Sequence, residues 1–431
     1  MERYSEYKDS GVEWLGEIPR HWVLRKMKFS FDERSQKGFP TLPLLAATQN
    51  HGVIRKSDYE NRTVEATKSL DTLKLVEVGD FVISLRSFQG GIELCHDRGI
   101  ISPAYTILKP THIKSCYFKY LGKSPVYLQL LKSMVTGIRE GQNIDYGKLR
   151  ENLIPIPTEA EQEAIANYLD KVTSKIDAAI AQQQKMIELL NERKQIIINN
   201  AVTKGLDPTA KMKPSGIPWL GNIPAHWELF RLKYLFTGYK AGPFGSSLIT
   251  NALLEDGSIL VYTPEHVAEQ RTSIPNNLYL PENRRNELKK FFVKKGDVIF
   301  PIVGSLGRAM IIEEAMPEGI INQRLAMFSI RKEFLDTDYF MWVFGKSKFY
   351  ESYIKNVQRG SFNVNLTKTL VGDMPFVLPP INEQKEISIF ITNKTTEILS
   401  SISCIEKQIG LLQERKQIII NDIVTGKVKV I

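Results

Sequence analysis

The residues best suited to chemistry in this chain are arginines, lysines and carboxamides held in short polar stretches, most of them glycine-rich. Arg86, Ser87 and Gln89 lie in Arg86-Ser87-Phe88-Gln89-Gly90-Gly91, directly after an apolar run. Arg139, Gln142 and Asn143 lie in Arg139-Glu140-Gly141-Gln142-Asn143. Lys240, Phe244 and Ser246 belong to Tyr239-Lys240-Ala241-Gly242-Pro243-Phe244-Gly245-Ser246. Ser305 and Arg308 belong to Gly304-Ser305-Leu306-Gly307-Arg308, and Asn322, Gln323 and Arg324 stand together. Arg359, Ser361 and Asn363 lie in Arg359-Gly360-Ser361-Phe362-Asn363. The chemistry such residues do is non-covalent. Guanidinium and ammonium groups pair with phosphates and guanine edges, carboxamides pair with adenine, and glycine lets backbone approach a phosphate. Any one stretch also reads as an ordinary surface loop. Their recurrence at matching places in both halves of the chain favours a common use, with unlike contents suited to two different short sequences.

Other chemistries are poorly supported. Gly345-Lys346-Ser347 resembles the end of a phosphate-binding loop, but the earlier glycine is replaced by Phe340. Gly122-Lys123-Ser124 fails the same way, with Tyr117 there, so the phosphate cradle is missing. His21-Trp22 and His226-Trp227 have no serine or acid nearby to complete a triad, and they read as packing and hydrogen-bonding elements. Cys95-His96 has no second pair at metal-site spacing. Asp80 and Asp297 follow glycines and read as turn residues. No methyltransferase signature, dinucleotide fingerprint or zinc-hydrolase spacing occurs. The expectation is a chain with no catalytic residue, no metal and no cofactor.

The elements that would position the polar stretches are duplicated. Glu192-Arg193-Lys194-Gln195-Ile196-Ile197-Ile198-Asn199 returns unchanged as Glu414 to Asn421. Each copy closes a long apolar-periodic segment that begins after prolines, at Thr158-Glu159-Ala160-Glu161-Gln162 and at Ile381-Asn382-Glu383-Gln384. Proline disfavours helix just before itself, and Thr158 with Glu161 has capping-box spacing, so both are helix starts. Leu169, Ile176, Leu190 and Ile197 share a heptad phase broken only at Gln183, with Ile165, Val172, Ala179 and Met186 on a second seam position. Ile391, Ile398, Ile405, Leu412 and Ile419 hold the equivalent phase. This pattern predicts paired coiled-coil rods, each roughly 68 Å long at about 1.5 Å per residue. Gly410 weakens the second by about 1 kcal/mol relative to alanine.

The globular parts repeat too. Ser10-Gly11-Val12-Glu13-Trp14-Leu15-Gly16-Glu17-Ile18-Pro19-Arg20-His21-Trp22 reappears from Ser215 to Trp227, with Pro218 where the first copy has Glu13. Gly79-Asp80 matches Gly296-Asp297, and Gly99-Ile100-Ile101 matches Gly319-Ile320-Ile321. Leu73 to Val78, Phe81 to Ser84, Phe291 to Val293, Val298 to Phe300, Tyr105 to Leu108 and Ala326 to Ile330 read as strands. Aromatic-rich helices are expected at Tyr117–Leu131 and Tyr339–Tyr353. The fold class is therefore α+β, with two mixed α/β parts separated by two long coiled-coil helices in an internal repeat. The expected boundaries are 1–157, 158–204, 205–379 and 380–431.

Composition sharpens this. The net charge is +9. Residues 158–204 carry six basic and seven acidic side chains, and residues 380–431 carry seven and six, so the rods are neutral. Residues 1–157 carry 23 basic against 18 acidic side chains, and residues 205–379 carry 21 against 17. Two basic globular parts on a neutral scaffold suit a polyanion partner. Three separated cysteines fit a reducing cytoplasm. No apolar run reaches the roughly 18 residues of a membrane span, so no membrane association is expected.

On these motifs the chain resembles the specificity subunit of type I restriction–modification enzymes. The resemblance rests on the Ser-Gly-x-x-Trp-Leu-Gly-x-Ile-Pro-x-His-Trp openings, the proline-then-Glu-Gln helix starts and the Glu-Arg-Lys-Gln-Ile-Ile helix ends. It implies two target-recognition domains joined by two helices packed antiparallel, each domain reading one half of a split double-stranded DNA sequence. It also implies that the helices act as a ruler and dock two adenine methyltransferase subunits, with ATP-dependent restriction and translocase subunits joining for cleavage. In that family none of these activities resides in this kind of chain. The rod length suits half-sites separated by one or two duplex turns of about 34–36 Å each. The 17-residue growth of the repeat offset means that loops cannot be transferred between the halves one by one. A stand-alone bipartite DNA-binding protein is the alternative reading.

Overall fold

The heptad-patterned stretches form two helices in the computed structural model, α1 at Glu159–Lys204 and α2 at Ile381–Val424. The structure describes residues 2–49, 51–59, 70–84, 92–136, 143–243, 254–304, 307–357 and 366–430. The start of α1 is fixed by its capping box. Thr158 N donates to Glu161 Oε2 at 3.1 Å, and Glu161 N donates to Thr158 Oγ1 at 3.3 Å, which satisfies two amides that the helix leaves open. Gly205 and Gly426, both with φ of +76°, end the two helices.

The chain forms two compact units, Met1–Gln184 with Ile405–Ile431, and Lys185–Cys404. Each unit holds a globular part, the first portion of one long helix and the last portion of the other. In the first unit the two helix portions run antiparallel. Lys416 Nζ donates to both Asp177 carboxylate oxygens at 2.7 Å, and Gln183 Nε2 donates to Gln408 Oε1 at 3.0 Å. Gln183, the break in the heptad, thus becomes a polar cross-link, a device that fixes register at some loss of stability. Towards the helix ends the buried positions become Ile198, Ala201 and Val202 in α1 and Ile420, Ile423 and Val424 in α2. A straight helix drifts about 20° per heptad against a 3.5 repeat, so the apolar stripe turns from the seam onto the globular core. Met186, expected on the second seam, is instead exposed.

In the first unit we number strands β1 (Val23–Lys26), β2 (Phe31–Glu33), β3 (Phe81–Ser84), β4 (Ile92–Leu94), β5 (Tyr105–Pro110) and β6 (Leu153–Ile156). The second unit has β7 (Glu228–Arg231), β8 (Phe236–Ala241), β9 (Asp297–Pro301), β10 (Met310–Ile311), β11 (Leu325–Ile330) and β12 (Pro375–Leu378). The four-stranded sheets have matching antiparallel orders, β2-β5-β3-β4 and β8-β11-β9-β10. A two-stranded ribbon, β1 with β6 or β7 with β12, leads into each long helix. Gly99 and Gly319 recur because backbone passes against them. A Cβ there would collide with the carbonyl of Pro43 or of Leu260.

Each sheet packs on aromatic side chains and on the long helices. Phe31 and Phe81 meet Phe118 edge-on at 4.6 and 4.9 Å, in a core that includes Trp22, Ile165, Leu169 and Val424. Phe236 stacks on Phe328 at 4.6 Å, in a core that includes Trp227, Ile198, Val202 and Ile391. Truncating any such aromatic costs about 3–5 kcal/mol.

Two local expectations are corrected. The Tyr117–Leu131 helix is two helices, Ser115–Leu121 and Pro125–Ser133, because Gly122 caps the first and Pro125 starts the second. Its counterpart is likewise broken by a π turn at Trp342–Lys346. Phe291–Val293 is no strand. Lys289–Phe291 is a 3-10 turn and Phe292 makes one isolated bridge to Ile320.

Candidate nucleic-acid interface

Strand register decides which polar stretches meet. In the second unit, Lys240 pairs with Met327 and Ala241 with Ala326, and Gly242 N donates to Leu325 O at 2.9 Å. That brings β8 to the turn Asn322-Gln323-Arg324 at the start of β11. Asn322 Oδ1 accepts from Arg324 N at 3.0 Å, and Asn322 N donates to Tyr262 O at 3.0 Å, so the turn is fixed on both sides. Ile302 N donates to Arg324 O and Leu366 N donates to Ile302 O, each at 2.9 Å. Ile302, just after β9, and Leu366 therefore reach the same edge. Arg308 Nη1 donates to Ala268 O at 3.4 Å. Lys240, Arg308, Gln323 and Arg324 are exposed and Asn322 is half-buried. The edge thus presents three cations and two carboxamides.

Sequence reasoning missed a further element here. A short helix, Pro264–Glu269, packs beside the turn, and Gln270 Nε2 donates to Ala309 O at 2.9 Å. Hydrogen bonds from Thr263 and from its own backbone, with the Arg324 charge adding to them, hold the Glu265 carboxyl below its usual range. A carboxylate is thereby added to the edge. His266, buried behind it, accepts from Thr263 N at 3.0 Å through Nδ1, and burial lowers its pKa. Thr263 and Pro264 mark the start of this helix locally, but its placement beside the turn depends on the parallel pairing of Ile259–Tyr262 with Gly319–Ile321.

Of the remaining candidates, Phe244, Ser246, Ser305, Arg359, Ser361 and Asn363 lie outside the described residues, as do Arg86, Ser87, Gln89, Arg139 and Gln142. Asn143 is described by its backbone, which pairs with Thr136 in a two-residue ribbon. In the first unit, β3 runs antiparallel to β5 with Ser84 opposite Tyr105, the edge equivalent to that of Arg324. Lys74 Nζ donates to Tyr105 O there at 2.9 Å.

The histidines act as latches. His21 Nε2 lies 2.8 Å from Glu161 Oε1, to which Trp22 Nε1 also donates at 3.3 Å. His226 Nε2 lies 2.8 Å from Glu383 Oε2. Gln162 and Gln384 are buried one residue further on. Gln162 accepts from Lys114 N at 2.8 Å and donates to Pro157 O at 2.9 Å, while Gln384 accepts from Asp336 N and donates to Pro379 O, both at 2.8 Å. Each opening motif therefore grips the start of a long helix. Asp80 and Asp297 accept from Glu77 N at 2.9 Å and Lys294 N at 2.8 Å, as turn residues do. Among the described residues no three His, Cys, Asp or Glu side chains group as metal ligands, and no helix is long and apolar enough to cross a membrane.

Known proteins resemble this chain in sequence and in fold. The family model described as the type I restriction modification DNA specificity domain matches residues 224–407. The MjaVIII specificity subunit of Methanocaldococcus jannaschii is 26% identical over 310 residues, covering 70% of this chain and 69% of that protein. The putative MjaX specificity subunit of the same organism is 25% identical over 440 residues, covering 96% of each. The fold matches a chain from a type I R-M system structure concerned with complex assembly and conformational transition. That match has a TM-score of 0.65 and 15% identity, and covers 95% of this chain and 99% of that one. It also matches the HsdS subunit of Thermoanaerobacter tengcongensis, with a TM-score of 0.52 and 13% identity, over 97% and 100% of the two chains. Residues 224–407 thus match the type I restriction modification DNA specificity domain, and over its length the chain is similar to type I restriction enzyme specificity subunits.

Proposed function

We propose that this subunit is non-catalytic and reads a bipartite, asymmetric double-stranded DNA site, each globular part reading one half. The observation that carries the reading is a repeated scaffold with unlike residues at the equivalent sheet edges. One edge carries Lys240, Arg308, Asn322, Gln323 and Arg324, beside a helix that adds Glu265. Lysine and arginine contacts to phosphate supply salt-dependent affinity, while base contacts from Arg, Asn, Gln and Glu supply selectivity. The candidates Arg86, Ser87, Gln89, Arg139, Gln142 and Asn143 serve the other half-site. Phe244, Ser246, Ser305, Arg359, Ser361 and Asn363 complete the second.

The recognition parts are taken as residues 1–157 and 205–379, and the spacer helices as 158–204 and 380–431. The helices set the distance between half-sites and dock two adenine methyltransferase subunits, to which ATP-dependent restriction and translocase subunits add. The setting is the cytoplasm, where chromosomal DNA is the substrate of the assembled complex. A methylation map of host DNA, with the gene intact and deleted, tests this. Loss of methyladenine at one split, asymmetric motif is expected, and an unchanged map contradicts it.

A further inference from the structure

The two halves of this chain act as an internal comparison. Positions that must be buried in both halves stay alike for packing reasons, and positions that read different DNA sequences diverge. An exposed group that is nevertheless retained in both halves needs another cause. One such group stands out. Phe29 and Tyr234, at equivalent places just after β1 and β7, are each 59% exposed. Lys28 Nζ sits 5.2 Å from the Phe29 ring centre, and Lys233 Nζ sits 5.5 Å from that of Tyr234. The same carboxylate position completes both. Glu151 accepts from Lys26 at 3.0 Å and Lys28 at 2.7 Å, and Asp373 accepts from Arg231 and Lys233, both at 3.1 Å. Phenylalanine has become tyrosine, lysine arginine and glutamate aspartate, yet the chemistry is unchanged.

Neither packing nor base reading explains the retention. An aromatic ring this exposed contributes little to the fold, and surface ion pairs are worth about 0–1 kcal/mol. The group also lies at the wrong end of the sheet for the recognition edge. In the first unit, Ser30 O accepts from Thr111 N, just past the Pro110 end of β5, while the recognition edge is at the Tyr105 end. In the second, Leu235 O accepts from Arg331 N, while Arg324 lies beyond the opposite end of β11. A six-residue strand separates the two ends by roughly 17 Å, at about 3.4 Å per residue.

Resting on the reading that two methyltransferase subunits dock on the long helices, we infer that the Phe29 and Tyr234 groups are additional anchor points, on the globular parts, for two copies of that one protein, one on each unit. Each group offers an exposed ring beside two cations and one carboxylate. Its complement is an apolar pocket rimmed by acidic side chains. Aromatic anchors seated in pockets carry a large share of binding energy at protein interfaces, and a surplus positive charge selects an acidic rim. A partner used twice explains a surface displayed twice. DNA is the less suitable occupant, because the group lies at the end of the sheet away from the proposed recognition edge.

The test uses the full chain co-expressed with the adenine methyltransferase subunit of its own system. Variants are Phe29→Ala, Tyr234→Ala and the double variant, with thermal unfolding as a fold control. Stoichiometry and affinity are read by analytical ultracentrifugation. We expect two methyltransferase copies on the wild type, one on each single variant, and at least tenfold weaker association for the double variant at unchanged melting temperature. Lys28→Glu and Lys233→Glu should weaken association similarly, since they reverse the charge the rim selects. Full-strength binding of two copies by the double variant overturns the inference while leaving the docking reading intact. A wild-type chain that binds no methyltransferase removes both. Retained methyltransferase binding with weakened DNA affinity reassigns the group to DNA and also overturns it.

Discussion

The phenol of Tyr117 donates a hydrogen bond to the carbonyl oxygen of Val424 at 3.0 Å, across 307 residues of sequence. The second unit repeats the relationship, with Tyr339 donating to Val202 O at 3.4 Å and Val377 O at 3.1 Å. Each tyrosine is fully buried and ties the last turn of one long helix to the unit from which the other long helix starts. The latch at Glu161 or Glu383 holds the opposite portion. Both helix portions are thereby fixed within the unit that carries the proposed recognition edge.

Removing one hydroxyl should leave buried carbonyls without a donor. Tyr117→Phe is expected to destabilise the first unit by about 1–3 kcal/mol, and Tyr339→Phe the second by a similar amount. Scanning calorimetry of the two variants would check this. Unchanged transitions in both would show that the helix ends are held by apolar packing alone.

Acid should loosen the first latch. Burial opposes ionisation of Glu161, but hydrogen bonds from His21, Thr158 and Trp22 outweigh it and hold the carboxyl below its usual 4.5. The unfolded chain therefore binds more protons between the two values. The stabilisation is present above about pH 4.5 and is lost as pH falls through the lower folded value. Glu161→Gln is expected to be less stable at neutral pH and to show a shallower decline below pH 4.5. Equal acid slopes for wild type and variant would count against it.

Two glycines with nearly the same backbone separate strain from crowding. Gly216, at φ +77°, has open space where a Cβ would stand. Gly426, at φ +76°, has the Pro19 ring in that space and Trp22 just beyond. Gly216→Ala should cost about 1–2 kcal/mol from the left-handed conformation alone. Gly426→Ala adds about 1–3 kcal/mol of overpacking, read as a lower midpoint in urea. Matching midpoints would mean that the α2 end shifts freely.

Gly410 has no structural use. It lies inside α2 with nothing near its Cβ position. Gly410→Ala should therefore stabilise by about 1 kcal/mol and leave the methylation pattern unchanged. A destabilised variant would reveal a hidden need for close approach.

At the proposed recognition edge, side-chain chemistry separates two outcomes. Arg324→Ala should relax base preference at one position of one half-site by about 1–3 kcal/mol if it contacts a guanine. Lys240→Ala should weaken binding evenly across sequences and reduce the salt slope by about one ion. Binding by the assembled complex to a panel of single-base site variants distinguishes them.

Much of this arrangement was legible in the residues. Heptad spacing, the Thr158–Glu161 box and the prolines marked both helices because those signals are local. The Gly-Asp turns at Asp80 and Asp297 were legible for the same reason. What pairs with what was not. The His21–Glu161 latch, the Tyr117–Val424 bond and the parallel pairing beside Pro264–Glu269 depend on tertiary placement, which periodicity does not encode. Phe291–Val293 misled because a short apolar run looks alike as a strand or a turn. The Tyr117–Leu131 helix misled because Ser124-Pro125 restarts a helix rather than ending one.

The most direct measurement replaces residues 205–379 with the equivalent segment of a relative and maps methylated adenines genome-wide. One half of the methylated motif should change, while the other half and the spacer stay as they were. A map in which both halves change, or in which neither does, would contradict the division of reading between two separate edges.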